Sequence, residues 1–126
     1  MKRIIPSDIY RGEPCSIVAV GCALGIDDSM GLLALDTPET HDDGYLSLDG
    51  MNRFIRANLA VTKVDYFRRG ERPALRDWAH EHLGQKAIIC LLGHFIYFDG
   101  RDYHSFFKNG GDPIVKVWYL DNGSAG

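Results

Sequence analysis

The sequence contains no apolar run near the roughly 20 residues that a helix needs to cross a bilayer, which argues against a membrane span. A secretory signal is missing too, because the basic start at Lys2 and Arg3 runs into Pro6 before any apolar core can form. We therefore expect a protein that is made and kept in the cytoplasm and has no membrane partner.

A large excess of one charge is also missing. The net charge is −3 at pH 7, which excludes a general polyanion binder of the histone or ribosomal kind, and nucleic acid is not an expected partner. Residues 1–50 nevertheless carry three basic and nine acidic side chains. A basic stripe lies further along the chain. We interpret it as a solvated face that balances the charge of this acidic half, although it could also bind an acidic partner. The stripe consists of Arg53, Arg56, Lys63, Arg68, Arg69, Arg72 and Arg76.

Cysteine is scarce, and its spacing suits neither a disulfide framework nor a zinc finger. The three cysteines are Cys15, Cys22 and Cys90. An odd number in a chain without a secretory signal predicts free thiols. Cys22 and Cys90 lie in apolar runs, so we expect both to be small core residues.

What the chain does have is the composition of one folded domain. Its 126 residues are 45% hydrophobic and 25% charged, the ordinary balance for a globular protein of this length. We therefore expect a single domain over residues 1–126, with a loose tail at residues 121–126.

The first half of the chain contains residues that typically mark the ends of helices. Pro14 precedes and Gly25 follows an apolar run, which predicts a helix over residues 15–24. Because this run is apolar nearly all round, the helix should be buried on most sides. Two further helices are expected on either side of a loop at residues 37–43, one over residues 29–35 after a cap at Asp27 or Asp28, and one over residues 51–59 after a cap at Asp49.

From residue 61 on, the pattern changes to alternating apolar runs separated by turns. Helices followed by a mostly antiparallel sheet indicate an α+β fold. A short helix at residues 73–83 should turn Leu75, Trp78, Ala79 and Leu83 inward. Strands are expected at residues 61–67, 86–92, 94–99, 102–107 and 114–120.

Two residues stand out as candidates for catalysis. Cys15 is at the first turn of the predicted buried helix, where unpaired N–H groups and the helix dipole favour a thiolate. A thiolate nucleophile also needs a base to organise it. His94 opens a predicted strand directly after Gly93, which lets a backbone or a substrate approach the imidazole closely.

Together these features resemble the papain-like cysteine peptidase fold. The chain is most similar to its small bacterial and phage members, related to the peptidases that trim bacteriocin leaders. Those proteins open with a helix headed by Cys, then have a helix rich in Phe or Trp, a strand ending in Gly-His, and a hairpin carrying Asp or Asn. Residues 75–82, 86–92 and 93–100 follow that order, and the resemblance covers roughly residues 13–120.

The resemblance implies a cysteine peptidase or a related amide-bond hydrolase that acts on a protein or peptide and needs no cofactor or metal. Cys15 would be the nucleophile. His94 would be the general base that later protonates the leaving amine. The intermediate would be a thioester that water or an amine resolves.

One departure from the family concerns the residue that orients the base. His104 stands where the family has Asp or Asn, and Asp99 is the less favoured substitute. A two-residue turn at residues 100–101 would pair residue 97 with His104 and point His104 away from His94. A three-residue turn would put both histidines on one face, and the sequence leaves the two registers open.

A second departure concerns the oxyanion hole. The family commonly has a Gln several residues before the Cys, and residues 7–12 contain none. Arg11 or Tyr10 could substitute for it, or the backbone N–H of Cys15 could act alone. The loss of one donor typically costs about 10²–10³ in rate.

Three other interpretations remain open. The chain could be an inactive papain-like binding module that uses the acidic loop at residues 39–43 and the basic stretch at residues 53–76 as contact surfaces. It could be a deamidase or transglutaminase-like enzyme with the same Cys and His but another acyl acceptor. A metal site is disfavoured because no pair has zinc spacing among its candidate ligands, His80, His82, Cys90, His94 and His104.

Overall fold

Six strands form one sheet with helices against both of its faces in the computed structural model, which describes residues 1–35 and 48–122. The loop expected at residues 37–43 and the tail from residue 123 lie outside the described residues. The described helices are α1 (Cys15–Leu24), α2 (Ser29–Leu35), α3 (Leu48–Asn58) and α4 (Leu75–Glu81), with a 3₁₀ turn at Asp8–Tyr10. The strands are β1 (Arg3–Ile4), β2 (Val61–Tyr66), β3 (Ala87–Leu91), β4 (His94–Phe98), β5 (Tyr103–His104) and β6 (Ile114–Leu120).

The order of the strands across the sheet is β1-β5-β4-β3-β6-β2. All neighbouring strands are antiparallel except β1, which pairs with β5 in parallel. The predicted α+β class and mostly antiparallel sheet are confirmed. Strand β1 was not predicted, because two residues are too short to show an alternating pattern.

The two faces of the sheet have separate cores, and β4 shows how they are divided. Phe95 and Tyr97 pack into the cluster beneath α1, α2 and α3. Ile96 and Phe98 pack with Trp78 of α4 in the cluster on the other face. This alternation is the period-two pattern of a strand that is buried on both sides.

Helix α1 has the predicted bounds and is buried over residues 16–21. Its end is set by Gly25, whose positive φ of 72° is the left-handed conformation that glycine adopts most readily. Gly21 lets Tyr10 cross the helix closely, since a Cβ at Gly21 would lie 2.6 Å from Cε1 of Tyr10. The Tyr10 hydroxyl donates to the carbonyl of Ile26 at 2.6 Å. These contacts hold the segment before Cys15 along the helix.

The other two helices of this face differ in how well their starts were predicted. Helix α2 has the predicted bounds, and the Asp28 carboxylate accepts a hydrogen bond from the Gly31 N–H at 2.6 Å, as expected for a cap. Helix α3 begins at Leu48, so Asp49 lies inside its first turn rather than capping a helix that starts at Met51. An acidic residue suits the first turn of a helix as well as the cap, which explains the wrong boundary.

Helix α4 is shorter than predicted. Leu75, Trp78 and Ala79 are buried as expected, but Leu83 is 63% exposed because the helix ends at Glu81. The ring of His82 lies 2.6 Å from the Trp78 carbonyl through Nδ1, which satisfies an acceptor at the helix end.

None of the helices in residues 1–35 and 48–122 is by itself long and apolar enough to cross a membrane. Only α1 and α2 taken together have that length and composition, and they meet at a bend of 118°.

Candidate active site

Cys15 is the first residue of α1, and Pro14 is the N-cap. Within the described residues, no side chain caps the N–H groups of the first turn, so they are available to an anion there. Cys15 is half-buried and lines a pocket of about 110 Å³. His94 lines the same pocket, so the structure brings the two predicted catalytic residues together.

His94 is the first residue of β4, directly after the tight turn at Gly93. Gly93 has a φ of 71°, a backbone conformation that side-chain-bearing residues rarely adopt. The imidazole is half-buried, and its edge meets the ring of Phe107 at 5.5 Å between centroids. Its Nε2 lies 3.1 Å from the hydroxyl of Ser105. The ring is therefore held by one aromatic contact and one hydrogen bond.

A chain of side-chain hydrogen bonds continues inward from Ser105. The Ser105 hydroxyl is 2.8 Å from Oδ1 of Asn109. The Asn109 amide nitrogen Nδ2 is 2.8 Å from the carboxylate of Asp112. Ser105 and Asn109 are nearly fully buried, at 2% and 6% exposure, so these bonds have no competition from water.

The carboxylate at the end of this chain fixes the direction of every bond in it. An ionised Asp112 can only accept, so Asn109 must present its NH₂ to Asp112 and its carbonyl to Ser105. Ser105 then donates its one hydroxyl proton to Asn109, so it can only accept a hydrogen bond from His94. The proton of a neutral His94 is therefore on Nε2, and Nδ1 has the free lone pair of a base.

Burial lowers the pKa of His94 below its usual 6.5, and the negative charge of Asp112 partly opposes this. The imidazole is therefore neutral near pH 7, which is the protonation state that a general base requires. No hydrogen bond joins the Cys15 thiol to His94 in this conformation. Catalytic hydrogen bonds are often long before a substrate is bound.

His104 takes the register that points it away from His94. Tyr97 pairs with His104 across a two-residue turn, so His104 lies on the same face as Tyr97. Its ring Nε2 is 2.9 Å from the Asp99 carboxylate. The hydrogen bond to His94 that was expected from His104 or Asp99 is therefore made by Ser105, one residue further along the chain. His104 still lines the pocket beside Cys15.

Asp99 forms its hydrogen bonds within the β4–β5 turn. Burial alone would raise the pKa of Asp99, but hydrogen bonds from the Asp102 N–H, the His104 ring and the Arg101 N–H outweigh burial and lower it. The carboxylate accepts from the two N–H groups at 2.8 Å each. Asp99 therefore stabilises the β4–β5 turn and holds His104.

The two proposed substitutes for the missing Gln are in different positions. The Tyr10 hydroxyl is committed to the Ile26 carbonyl and is not available to a substrate. Arg11 binds the Asp8 carboxylate at 2.8 Å, and its guanidinium lies 5.3 Å from the centre of the Phe106 ring, which lines the pocket. Arg11, which lies beside Phe106, and the first N–H groups of α1 therefore remain as candidate oxyanion donors.

The remaining cysteines are poor nucleophiles. Burial raises the pKa of Cys22 to about 11 and that of Cys90 to about 11. Both pack in or against the core beneath α1, as predicted, and the Cys90 thiol is 3.2 Å from the Leu91 carbonyl. All three cysteines are free.

The part of the chain that the structure describes contains no group of three or more His, Cys, Asp or Glu residues arranged to hold a metal ion. Two members of the disfavoured set lie on opposite faces of the sheet. His82 stacks on Trp78 on the α4 face of the sheet, whereas Cys90 packs in the cluster on the α1 face.

No family model matches the chain, and no curated protein or solved structure matches it either. We therefore infer the function from the geometry of the site. Sequence reasoning identified Cys15 and His94 but missed the buried Ser105, Asn109 and Asp112. The sequence contains little signal for them, because they are spread over the eight residues after β5 and two phenylalanines and a lysine separate Ser105 from Asn109.

Proposed function

We propose that Cys15 and His94 are the nucleophile and the general base of an amide-bond hydrolase, a cysteine peptidase of the papain-like type. One observation carries this proposal: the hydrogen-bond chain from Asp112 leaves Nδ1 of His94 as the free base, and His94 and Cys15 line the same pocket. A Cys at an uncapped helix start with a neutral imidazole in the same pocket is the arrangement that thiol acyl transfer requires.

The reaction would follow from these positions. Nδ1 of His94 takes the thiol proton while Sγ of Cys15 attacks the carbonyl carbon of the substrate. The first N–H groups of α1 stabilise the oxyanion, and His94 returns its proton to the leaving amine as the C–N bond breaks. Water, deprotonated by His94, then hydrolyses the thioester and releases the acid and the free thiol.

The pocket also favours a class of substrate. Phe95, Phe106 and Phe107 give it apolar walls, and Glu13 contributes one carboxylate. A peptide or protein with an apolar group beside the scissile bond fits these walls. A transglutaminase-like enzyme would use an amine instead of water as the acyl acceptor, and a deamidase would use water but release ammonia from a side-chain amide, so both alternatives share this mechanism.

An inactive binding module on the same scaffold is the second candidate. It is favoured by the hydrogen bond from the Tyr10 hydroxyl to the Ile26 carbonyl, which removes Tyr10 as a donor for an oxyanion. It predicts that the Cys15 thiol reacts like any exposed thiol and that Cys15→Ala leaves binding to a partner unchanged.

The decisive experiment is alkylation of the native protein with iodoacetamide between pH 5 and 9, measured for each cysteine by mass spectrometry. We expect Cys15 to react rapidly at pH 6. Cys22 and Cys90 are internal controls, because burial keeps both thiols protonated there.

His94→Ala should slow the alkylation of Cys15 by about 100-fold, the lower end of the contribution that a general base typically makes. His80→Ala is the matched control, because His80 is exposed on α4 and does not line the pocket. If Cys15 reacts no faster than a free thiol of pKa about 8.5 at every pH, the enzyme proposal is wrong and the binding module remains.

A further inference from the structure

A second pocket, of about 460 Å³, lies between α4 and the edge of the sheet that β1 and β5 form. Three of its lining residues are basic, and none of the described residues that line it is acidic. Tyr103 of β5 and Gly110 of the loop that follows β5 also line the pocket. The basic residues are Arg3, Arg76 and His80.

Backbone carbonyl groups of the loop between β5 and β6 position both arginines. The Arg3 guanidinium donates through Nη1 to the Phe106 carbonyl at 2.7 Å, and the Arg76 guanidinium donates through Nε to the Gly110 carbonyl at 3.3 Å. A guanidinium has five N–H donors, so each of these bonds leaves most of the donors for a ligand.

The loop that supplies these carbonyls is itself anchored. The Asn109 N–H donates to the hydroxyl of Tyr103 at 3.0 Å, and both residues are nearly fully buried. The Gly110 carbonyl also accepts the backbone N–H of Arg76 at 2.9 Å, which joins the loop to the first turn of α4. Gly111 makes room for the guanidinium, since a Cβ there would lie 2.9 Å from Nη2 of Arg76. The arginine donors therefore belong to a site that the fold builds.

The positive charge of this pocket is not neutralised by the described part of the chain. Neither Arg3 nor Arg76 has an ion-pair partner among the described residues, although the chain has 17 acidic residues against 14 basic ones. Arg3 is half-buried, whereas Arg76 and His80 are exposed, so a ligand from solution can reach all three. Unpaired guanidinium groups in a recess without carboxylates are the chemistry that recognises an anion.

We propose that this pocket binds a small phosphate monoester, with the phosphate group on Arg3 and Arg76 and the organic part against the exposed side chain of Leu83. A phosphate monoester suits the site better than a carboxylate, because it carries a charge of about −1.5 to −2 at pH 7 and three acceptor oxygens. The volume is within the range of about 300–1,000 Å³ that small-molecule pockets have, which is more than a phosphate group alone fills. None of the lining residues is shared with the pocket of Cys15, so the proposal does not depend on the proposed hydrolase.

The test is a titration of ¹⁵N-labelled protein with phenyl phosphate at physiological salt, observed through the backbone N–H signals. Gly110 reports on the pocket that it lines. Gly25 is the internal control, because it ends α1 on the other face of the sheet. We expect the Gly110 signal to shift in a saturable way and the Gly25 signal to stay in place. Equal shifts of both signals, or no shift at all, would overturn the proposal.

Two related ligands separate the charge from the organic part. Phenyl sulfate has nearly the shape of phenyl phosphate but only one negative charge, and it should bind roughly tenfold more weakly. Inorganic phosphate lacks the ring that would cover Leu83 and should bind about fivefold more weakly. Equal binding of phenyl sulfate would mean a general attraction for anions, and equal binding of inorganic phosphate would mean that no ester is recognised, so either result contradicts the proposal.

Arg76→Gln should weaken the binding of phenyl phosphate by about tenfold, the worth of one hydrogen bond to a charged group. Arg76 is exposed, so the variant should fold normally. Arg53→Gln is the matched control, because it removes an exposed arginine from α3 on the other face of the sheet, and it should bind as the parent does. Unchanged binding by Arg76→Gln would rule out the site.

Two further variants keep the charge and change only its placement. Gly111→Ala pushes the Arg76 guanidinium from its position and should weaken binding by about two- to fivefold. Arg3→Lys keeps the charge but loses the planar fork, so it should bind more weakly than the parent and more tightly than Arg3→Gln. Parent-like binding by both Gly111→Ala and Arg3→Lys would show that the guanidinium groups are not positioned for a phosphate. Cys15→Ala should bind as the parent does, so failure here is distinguishable from failure of the proposed hydrolase.

Discussion

The carboxylate of Asp112 determines which nitrogen of His94 carries the proton, although the two side chains do not touch. Asn109 and Ser105 lie between them, and each can satisfy its neighbours in only one orientation once Asp112 is ionised. The single carboxylate thus does two things for the base: it sets the tautomer through hydrogen bonds and opposes, through its charge, the effect of burial on the pKa of His94.

Asp112→Asn tests both effects. An amide at position 112 can donate as well as accept, so Asn109 is no longer forced into one orientation and part of the His94 population should move its proton to Nδ1. The lost charge should also lower the pKa of His94 further, because the Asp112 charge raises it. We expect slower alkylation of Cys15, by about tenfold, with the acid limb of its pH profile moved to lower pH.

The ¹⁵N chemical shifts of the His94 ring measure the tautomer directly and separate these effects from a loss of structure. Asp27→Asn is the control, because Asp27 is exposed and does not line the pocket. If the ring nitrogen shifts of Asp112→Asn equal those of the parent, Asp112 has no part in fixing the tautomer.

Ser105→Ala should cost both stability and reactivity. The Ser105 hydroxyl also accepts the Phe107 N–H at 3.0 Å, so its removal leaves three groups without their partner. Unsatisfied buried polar groups typically cost about 1–3 kcal/mol each, and the free energy of urea unfolding should fall by at least that much.

Alkylation of Cys15 in the folded Ser105→Ala protein should also be slower, since His94 loses the acceptor that holds its ring. Ser105→Thr keeps the hydroxyl and should restore most of the reactivity. Full reactivity of the alanine variant would mean that the Phe107 contact alone positions His94.

Local signals in the sequence were enough to predict α1. Pro14 and Gly25 mark its two ends, and both act on the backbone next to them, independently of the rest of the fold. Strand β6 was predicted with its observed bounds for a similar reason, because all but one of its seven residues are apolar.

The partner of His94 could not be predicted, because it depends on a register. The turn at residues 100–101 determines which residues of β4 and β5 face each other. A shift of the register by one residue would put His104 on the face of the sheet where Ser105 now lies. Asn109 and Asp112 lie in an irregular loop, where no periodicity indicates which side chains point inward. Strand β1 pairs with β5 about a hundred residues away, a contact that no local pattern encodes.

Gly21→Ala tests the crossing of Tyr10 over α1. The new methyl group would lie 2.6 Å from Cε1 and 2.8 Å from the hydroxyl oxygen of Tyr10, so the ring must move and its bond to Ile26 is strained. Such overpacking typically costs about 1–3 kcal/mol, more than the gain in helix propensity of about 1 kcal/mol, so the melting temperature should fall.

Gly110→Ala is the matched control for this substitution, because a Cβ there meets no atom within 4 Å. Tyr10→Phe in the Gly21→Ala background removes the crowded hydroxyl and should recover part of the loss. An unchanged melting temperature for Gly21→Ala would show that Tyr10 does not pack as described.

Asp99→Asn predicts a stability difference that depends on pH. The pKa of Asp99 is lower in the folded protein than its usual value of 3.8, so its charge stabilises the fold above that value and the contribution is lost as the pH falls through the lowered pKa. At pH 7 the variant should lose about 1 kcal/mol, the difference between a charged and a neutral acceptor. The difference in unfolding free energy between the parent and the variant should become smaller below pH 3.8, because the Asp99 carboxyl of the parent then becomes protonated and loses its charge. Urea unfolding of both proteins from pH 2 to 7 measures this difference. A difference that is constant across that range would mean that the Asp99 charge does not stabilise the β4–β5 turn.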